Sequence, residues 1–191
     1  MSKKITPPPA TTPDGRLAED DLQQVLGYQL AQASIATTRV YNEAVGQPFD
    51  LRPVEYTVLA LIQRNPGGSA AQLAKALAVT APNITMWLDR LEARQLVQRV
   101  RSETDRRAQR LQLTPHATQL MSEATARLLA GERQALDALS TGERAILLEL
   151  LHKVACCRTS ATDAPAADKA PADAAADAPA AAARRGRPAG S

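Results

Sequence analysis

The stretch "SAAQLAKALAVTAPNITMWLDRLEARQLVQRVRSETDRRAQRLQLT", residues 69–114, contains two rhythms that meet near Gln95. Before that point the spacing is helical. Ser69 with Gln72 three residues on is a capping box, which satisfies orphan donors at a helix start and predicts a short helix over 69–78. Thr80 then opens a second helix, 81–94, with Ile84, Trp87, Leu88 and Leu91 on its inner face. Two helices joined by so tight a turn read as a helix-turn-helix. Beyond Gln95 the period shortens. "LVQRVR" and "AQRLQLT" follow a strand rhythm, and the polar "SETDRR" (102–107) joins them as a hairpin. Thr114-Pro115 closes the stretch as an N-cap followed by a first-turn proline.

Outward from this centre the chain stays helical. Leu22, Leu26, Ala33, Ala36, Val40 and Ala44 form a stripe that predicts one long helix over 20–45, ended by Pro48. A second helix begins at Pro53, carries Val54, Val58, Leu59 and Ile62, and stops at "NPGG". On the other side, Ala117, Leu120, Met121, Ala124, Leu128, Ala135 and Leu139 predict a helix over 114–140. Ser140 and Glu143 make a second capping box for a last helix, 141–157, with Leu147, Leu148, Leu151, Val154 and Ala155 on one side. Residues 1–16 are Pro/Thr-rich and 160–191 are mostly Ala, Pro and Asp, so neither segment repays the entropy of ordering. Eight of the 13 prolines lie in these two tails, which leaves 17–159 as the folded domain. The fold class is therefore mainly α: four helices, a β-hairpin wing over 96–113, then two more helices. The outer helices, 20–45, 114–140 and 141–157, are more apolar than one domain of this size needs, which implies a homodimer.

Charge adds a functional direction. Between Met86 and Thr114 seven arginines face four carboxylates, a net +3 that equals the excess of the whole 191-residue chain. So local a basic excess points to a polyanion, double-stranded nucleic acid first. With Ile84, Leu88 and Leu91 turned inward, Pro82, Asn83, Met86 and Arg90 are left on the outer side of the fourth helix. An asparagine reads adenine bidentately, and an arginine takes guanine or phosphate. In the hairpin, Arg106 and Arg110 are candidate phosphate contacts.

The ordered elements and their motifs resemble the MarR family of winged-helix transcriptional regulators over most of residues 20–157. The most specific match is the wing pattern D-x-R followed after five residues by L-T, here Asp105-x-Arg107 and Leu113-Thr114. "VTAPNITMWLDRLEARQLVQR" and "LSTGE" support it. The resemblance implies a homodimer joined through the first, fifth and sixth helices, bound to a pseudo-palindromic site. It puts the fourth helix in the major groove and the wing in the neighbouring minor groove. Arg107 is then the minor-groove reader, a role suited to a planar, weakly hydrated cation, and Asp105 positions it. The resemblance also implies a repressor that a small-molecule inducer releases. Two positions depart from the pattern: Met86, where the family often has arginine, and Gln95, where it usually has glycine.

The remaining features lead elsewhere or nowhere. "RRGRP" holds Arg185, Gly186 and Arg187, the core of an AT-hook that would add minor-groove affinity from the tail. Cys156 and Cys157 read either as a redox pair or, preferentially, as two buried small hydrophobes. His116 and His152 have no neighbouring ligand cluster, so neither a metal nor a cofactor is expected. No acid, base and nucleophile converge, so an enzyme is not expected. The N-terminus lacks a signal-peptide core and no apolar run is long enough to span a bilayer, which favours the cytoplasm and no membrane partner. Two alternatives stay open: a winged-helix protein-interaction module, and an architectural DNA-binding protein led by the basic tail.

Overall fold

The computed structural model describes residues 11–13, 15, 17–101 and 109–160. Its elements run α1 (Leu26–Tyr41), α2 (Pro53–Arg64), α3 (Ala70–Leu77), α4 (Ala81–Ala93), β1 (Val97–Arg101), β2 (Gln109–Leu113), α5 (Pro115–Ala135) and α6 (Thr141–Ser160). A 3-10 turn, Asp20–Gln24, precedes α1, and a π-helical turn, Asn42–Gly46, with a short α-turn, Gln47–Phe49, continues it. The mainly α, winged-helix expectation holds. The chain divides into two compact units, one ending at Glu143 and one beginning at Arg144.

The first helix differs from its predicted 20–45 span at both ends. Val25 is extended (φ −84°, ψ 104°), which separates the 3-10 turn from α1. That break lets the Tyr28 hydroxyl donate to the Glu19 carboxylate at 2.7 Å, although the two are nine residues apart. A continuous helix would hold them about 13 Å apart along its axis. Nor does Pro48 end the helix. The wider π-turn ahead of it resets the hydrogen-bond ladder, so Pro48 falls in the first turn of the short α-segment, where its missing N–H costs nothing. The chain leaves the helix at Asp50, in the left-handed region (φ 49°).

The core gathers where the helix-turn-helix meets its neighbours. Val58, Leu59 and Ile62 of α2, Leu73 of α3, Ile84, Leu88 and Leu91 of α4, and Met121 of α5 are all buried. Leu96, Val97 and Leu111 bring the hairpin onto the same cluster. The inner positions Ile84, Leu88 and Leu91 of α4 are thus the observed ones, with Trp87 half-buried, whereas Leu26, Ala33 and Ala36 of the first stripe are exposed; aliphatic side chains dominate the core. Tyr41 is an exception. It donates to the Leu51 carbonyl at 2.9 Å, and burial, reinforced by Glu55 and then Tyr56, keeps its phenol protonated well above the ordinary range.

Caps explain most boundaries. The Ser69–Gln72 box is formed: the Gln72 N–H donates to Ser69 Oγ at 3.3 Å, and the Ser69 N–H donates to the Gln72 side chain at 2.8 Å. Ala78 in the left-handed region (φ 54°) ends α3, and α4 begins three residues later. Thr80 stands at the N-cap of α4, but its hydroxyl makes no cap hydrogen bond. Pro82 has removed one of the orphan donors such a hydroxyl would serve. Thr114 does cap α5, accepting from the Ala117 N–H at 3.1 Å, and it also donates to the Gln95 carbonyl at 2.8 Å. One hydroxyl therefore joins the exit of α4 to the entry of α5. That helix ends at Ala135, not at 140: Leu136 leaves helical geometry (φ −112°, ψ 34°), and Ser140 forms its cap box with Glu143.

Gln95, where the family pattern usually has glycine, adopts φ 56°, in the left-handed region. Its N–H reaches the Glu92 carbonyl at 2.8 Å, and the Leu96 N–H reaches Leu91 at 2.9 Å, closing the last turn. A Cβ in this region costs on the order of 1 kcal/mol, more than glycine loses in chain entropy. Gln95→Gly is accordingly expected to stabilise the protein by about 0.5 kcal/mol, seen as a urea midpoint that rises with unchanged slope.

In the second unit, which begins at Arg144, the described residues belong to α6. Its aliphatic residues are exposed, Ile146, Leu148 and Leu150 each by more than half. Cys156 and Cys157 are exposed as well, which corrects the expectation that both are buried. The Cys156 Sγ lies 3.6 Å from His152 Nε2, and the Cys157 thiol donates to the Lys153 carbonyl.

Candidate nucleic-acid interface

The outer face of α4 is a shallow, open surface formed by Ala81, Pro82, Thr85, Met86, Asp89, Arg90 and Ala93. These residues recur at helical spacing because Ile84, Leu88 and Leu91 occupy the opposite, buried face. Met86 and Arg90, both expected outward, are exposed there. Asn83 lies at the flank and is half-buried, so it is less available than the sequence reading supposed. This face also carries Thr85, which the sequence reading leaves out, and Asp89, which it counts only as one of the four carboxylates between Met86 and Thr114. Counting three and four residues on from Pro82 and Met86 would have found them.

Asp89 and Glu92 are the two carboxylates of α4, and an uncompensated carboxylate would repel a polyanion. Arg99 of β1 pairs with Asp89, and its Nε is 3.2 Å from the Glu92 carboxylate. The ion pairs also hold β1 against α4, so the helix and the wing strand share one electrostatic contact. Arg94 is likewise turned away from the outer face. It donates to the carbonyls of Asp50 and Phe49 at 2.7 and 3.2 Å. Two of the seven arginines in 86–114 thus serve the fold, while Arg90 and Arg110 remain exposed. Among the described residues, part of the local cationic charge is therefore committed to ion pairs and backbone carbonyls within the fold.

The hairpin is antiparallel, with Val97 opposite Leu113, Val100 opposite Arg110 and Arg101 opposite Gln109. Its second edge is covered, because the Gly67 N–H donates to the Leu111 carbonyl and the Leu111 N–H to Gly68. Gly67 has φ 86°, and a Cβ there would lie 3.6 Å from Arg110 Cδ. The Arg110 stem therefore rests on the glycine turn that precedes α3. Asp105, Arg106 and Arg107 lie outside the described residues, as do Arg185, Gly186 and Arg187 of the tail. Among the described residues no cluster of three or more His, Cys, Asp or Glu is placed to hold a metal. No helix among them is long and apolar enough to cross a membrane.

A helix-turn-helix followed at once by a two-stranded hairpin, with the outer face of its second helix bare, defines a winged-helix protein. The MarR family model matches residues 49–108. The transcriptional repressor CouR, solved bound to a 23-mer DNA duplex, is 31% identical, with a TM-score of 0.67; the match covers 73% of this chain and 98% of that one. The chain belongs to the MarR family. FabT of Streptococcus pneumoniae, solved in complex with DNA, is 25% identical with a TM-score of 0.61, covering 73% of this chain and 99% of that one. The transcriptional regulatory protein assigned to the hcr operon of Thauera aromatica is 29% identical over 146 residues, 76% of this chain and 88% of its own length.

Proposed function

We propose that this protein is a sequence-specific, double-stranded DNA-binding transcriptional regulator that acts as a homodimer on a pseudo-palindromic operator and releases it on binding a small molecule. The observation that carries the reading is the outer face of α4, which offers Thr85, Met86 and Arg90 while Arg99 neutralises Asp89. Within this proposal α4 enters the major groove. Asn83, Met86 and Arg90 face the base edges and phosphates there, and Arg110 contacts backbone phosphate. Arg107 meets the neighbouring minor groove with Asp105 orienting it, Arg106 contacts backbone phosphate, and Arg185, Gly186 and Arg187 add a salt-sensitive tail contact. The exposed aliphatic residues of α1 (Leu26, Leu30, Ile35) and of α6 support pairing with a second copy. DNA-bound relatives of the same fold support the choice of partner.

A gel shift on the duplex upstream of the protein's own gene, against a scrambled duplex at two salt concentrations, tests the reading. Preference for the upstream duplex, weakened by salt, is the expected result. Absence of a complex, or a complex indifferent to salt, contradicts it. Met86 offers a second check. Met86→Arg places a cation on the exposed α4 face, so it is expected to tighten binding to both duplexes. It should also steepen the slope of log K against log salt by about one.

A further inference from the structure

We infer that Arg94 is a positioning residue for DNA binding, a latch that fixes the direction of α4 against the end of the first helix. The inference rests on the DNA-binding reading of α4. Arg94 is the C-cap of α4, yet its guanidinium reaches a segment more than forty residues away in sequence. One nitrogen donates to the Asp50 carbonyl at 2.7 Å and another to the Phe49 carbonyl at 3.2 Å. The same fork lies 3.7 Å from each of the Asp50 and Glu55 carboxylates. Glu55 is nearly inaccessible, its side chain only 8% exposed, and it also accepts the Arg52 N–H at 2.9 Å in capping α2. The planar fork of arginine suits two adjacent carbonyls and a carboxylate together, whereas lysine presents a single compact ammonium.

What the latch grips gives it a role beyond stability. Phe49 and Asp50 terminate the continuation of the first helix, immediately after the π-turn and at a left-handed residue. At the other side of Arg94, Gln95 is also left-handed, and the chain turns there from α4 into β1. Arg94 thus joins two points where the backbone changes direction, one on each side of the helix-turn-helix. Without it, α4 keeps its buried inner face but loses its long-range hydrogen bonds to the segment before α2. Small rotations of α4 move Met86 and Arg90 together, and misplacement on this scale weakens every contact of the face at once.

Arg94→Ala and Arg94→Lys, compared with the parent as full chains, separate this role from others. The probe is a fluorescent duplex of the region upstream of the gene, titrated by anisotropy at several salt concentrations. The latch predicts about tenfold weaker binding for Arg94→Ala at every salt, with the salt slope unchanged because no phosphate contact is lost. Arg94→Lys keeps the charge and recovers only part of the loss. In addition, acrylamide quenching of Trp87, the sole tryptophan and half-buried on α4, should rise in Arg94→Ala without DNA present. Parental affinity in Arg94→Ala overturns the latch. So does a slope reduced by about one, which marks a direct phosphate contact, or full recovery by lysine. If the parent itself fails to bind, the DNA-binding reading falls, and unchanged Trp87 quenching then decides separately against the latch.

Discussion

Leu88→Ala is expected to lower the unfolding free energy by about 3 kcal/mol, the larger of the two strongest effects in this protein. Leu88 is 1% exposed and belongs to the cluster that joins α4 to α2, α5 and the hairpin. Truncation removes apolar contact and leaves a cavity among residues held by several elements, so little collapse can fill it. Urea unfolding followed by circular dichroism, at one fixed protein concentration, reads the loss. Met86→Ala, on the exposed face of the same helix, serves as the control and should fall within about 0.5 kcal/mol of the parent. Equal losses in the two variants would contradict the assignment of inner and outer faces of α4.

Arg107→Ala is expected to weaken operator binding by about 10-fold or more while leaving the melting temperature and the dimer unchanged. The expectation comes from the D-x-R pattern and from the register of the strands around it. Val97 pairs with Leu113 and Arg101 with Gln109, so residues 102–108 connect the two strand ends farthest from the core pairing. A narrow groove favours arginine over lysine because it is less strongly hydrated. Arg107→Lys should therefore recover only part of the affinity. Fluorescence anisotropy measures the change, and parental affinity in the alanine variant would remove Arg107 from the interface.

Much of this architecture is legible in the sequence because it is written in local chemistry. The Ser69–Gln72 and Ser140–Glu143 boxes, the Thr114–Pro115 start and the Ile84–Leu88–Leu91 face each follow from residues within one or two turns of each other. The misread features depend on longer reach. The break at Val25 accommodates a contact between Glu19 and Tyr28, and the passage through Pro48 needs a π-turn that no propensity signals. Hydrophobicity alone predicts Cys156 and Cys157 to be buried, whereas both are exposed on α6. Within the candidate site, Met86 and Arg90 follow from helical spacing. The inward roles of Arg94 and Arg99 do not, because their partners at Asp50, Glu55 and Asp89 are set by tertiary packing. Counting arginines therefore overstates the charge available to a polyanion.

The most direct test of the central claim, that α4 and the wing together read duplex DNA, is a paired footprint on the duplex upstream of the gene. Dimethyl sulfate reports guanine N7 in the major groove, and hydroxyl radicals report the sugar edges of the minor groove. The account predicts guanine N7 protection in two half-sites about one helical turn apart, with protected minor-groove segments beside each. It further predicts that Arg107→Ala loses the minor-groove protection and keeps the major-groove pattern. Protection confined to the minor groove, or a footprint that disappears when residues 160–191 are deleted, would contradict the account and assign binding to the tail.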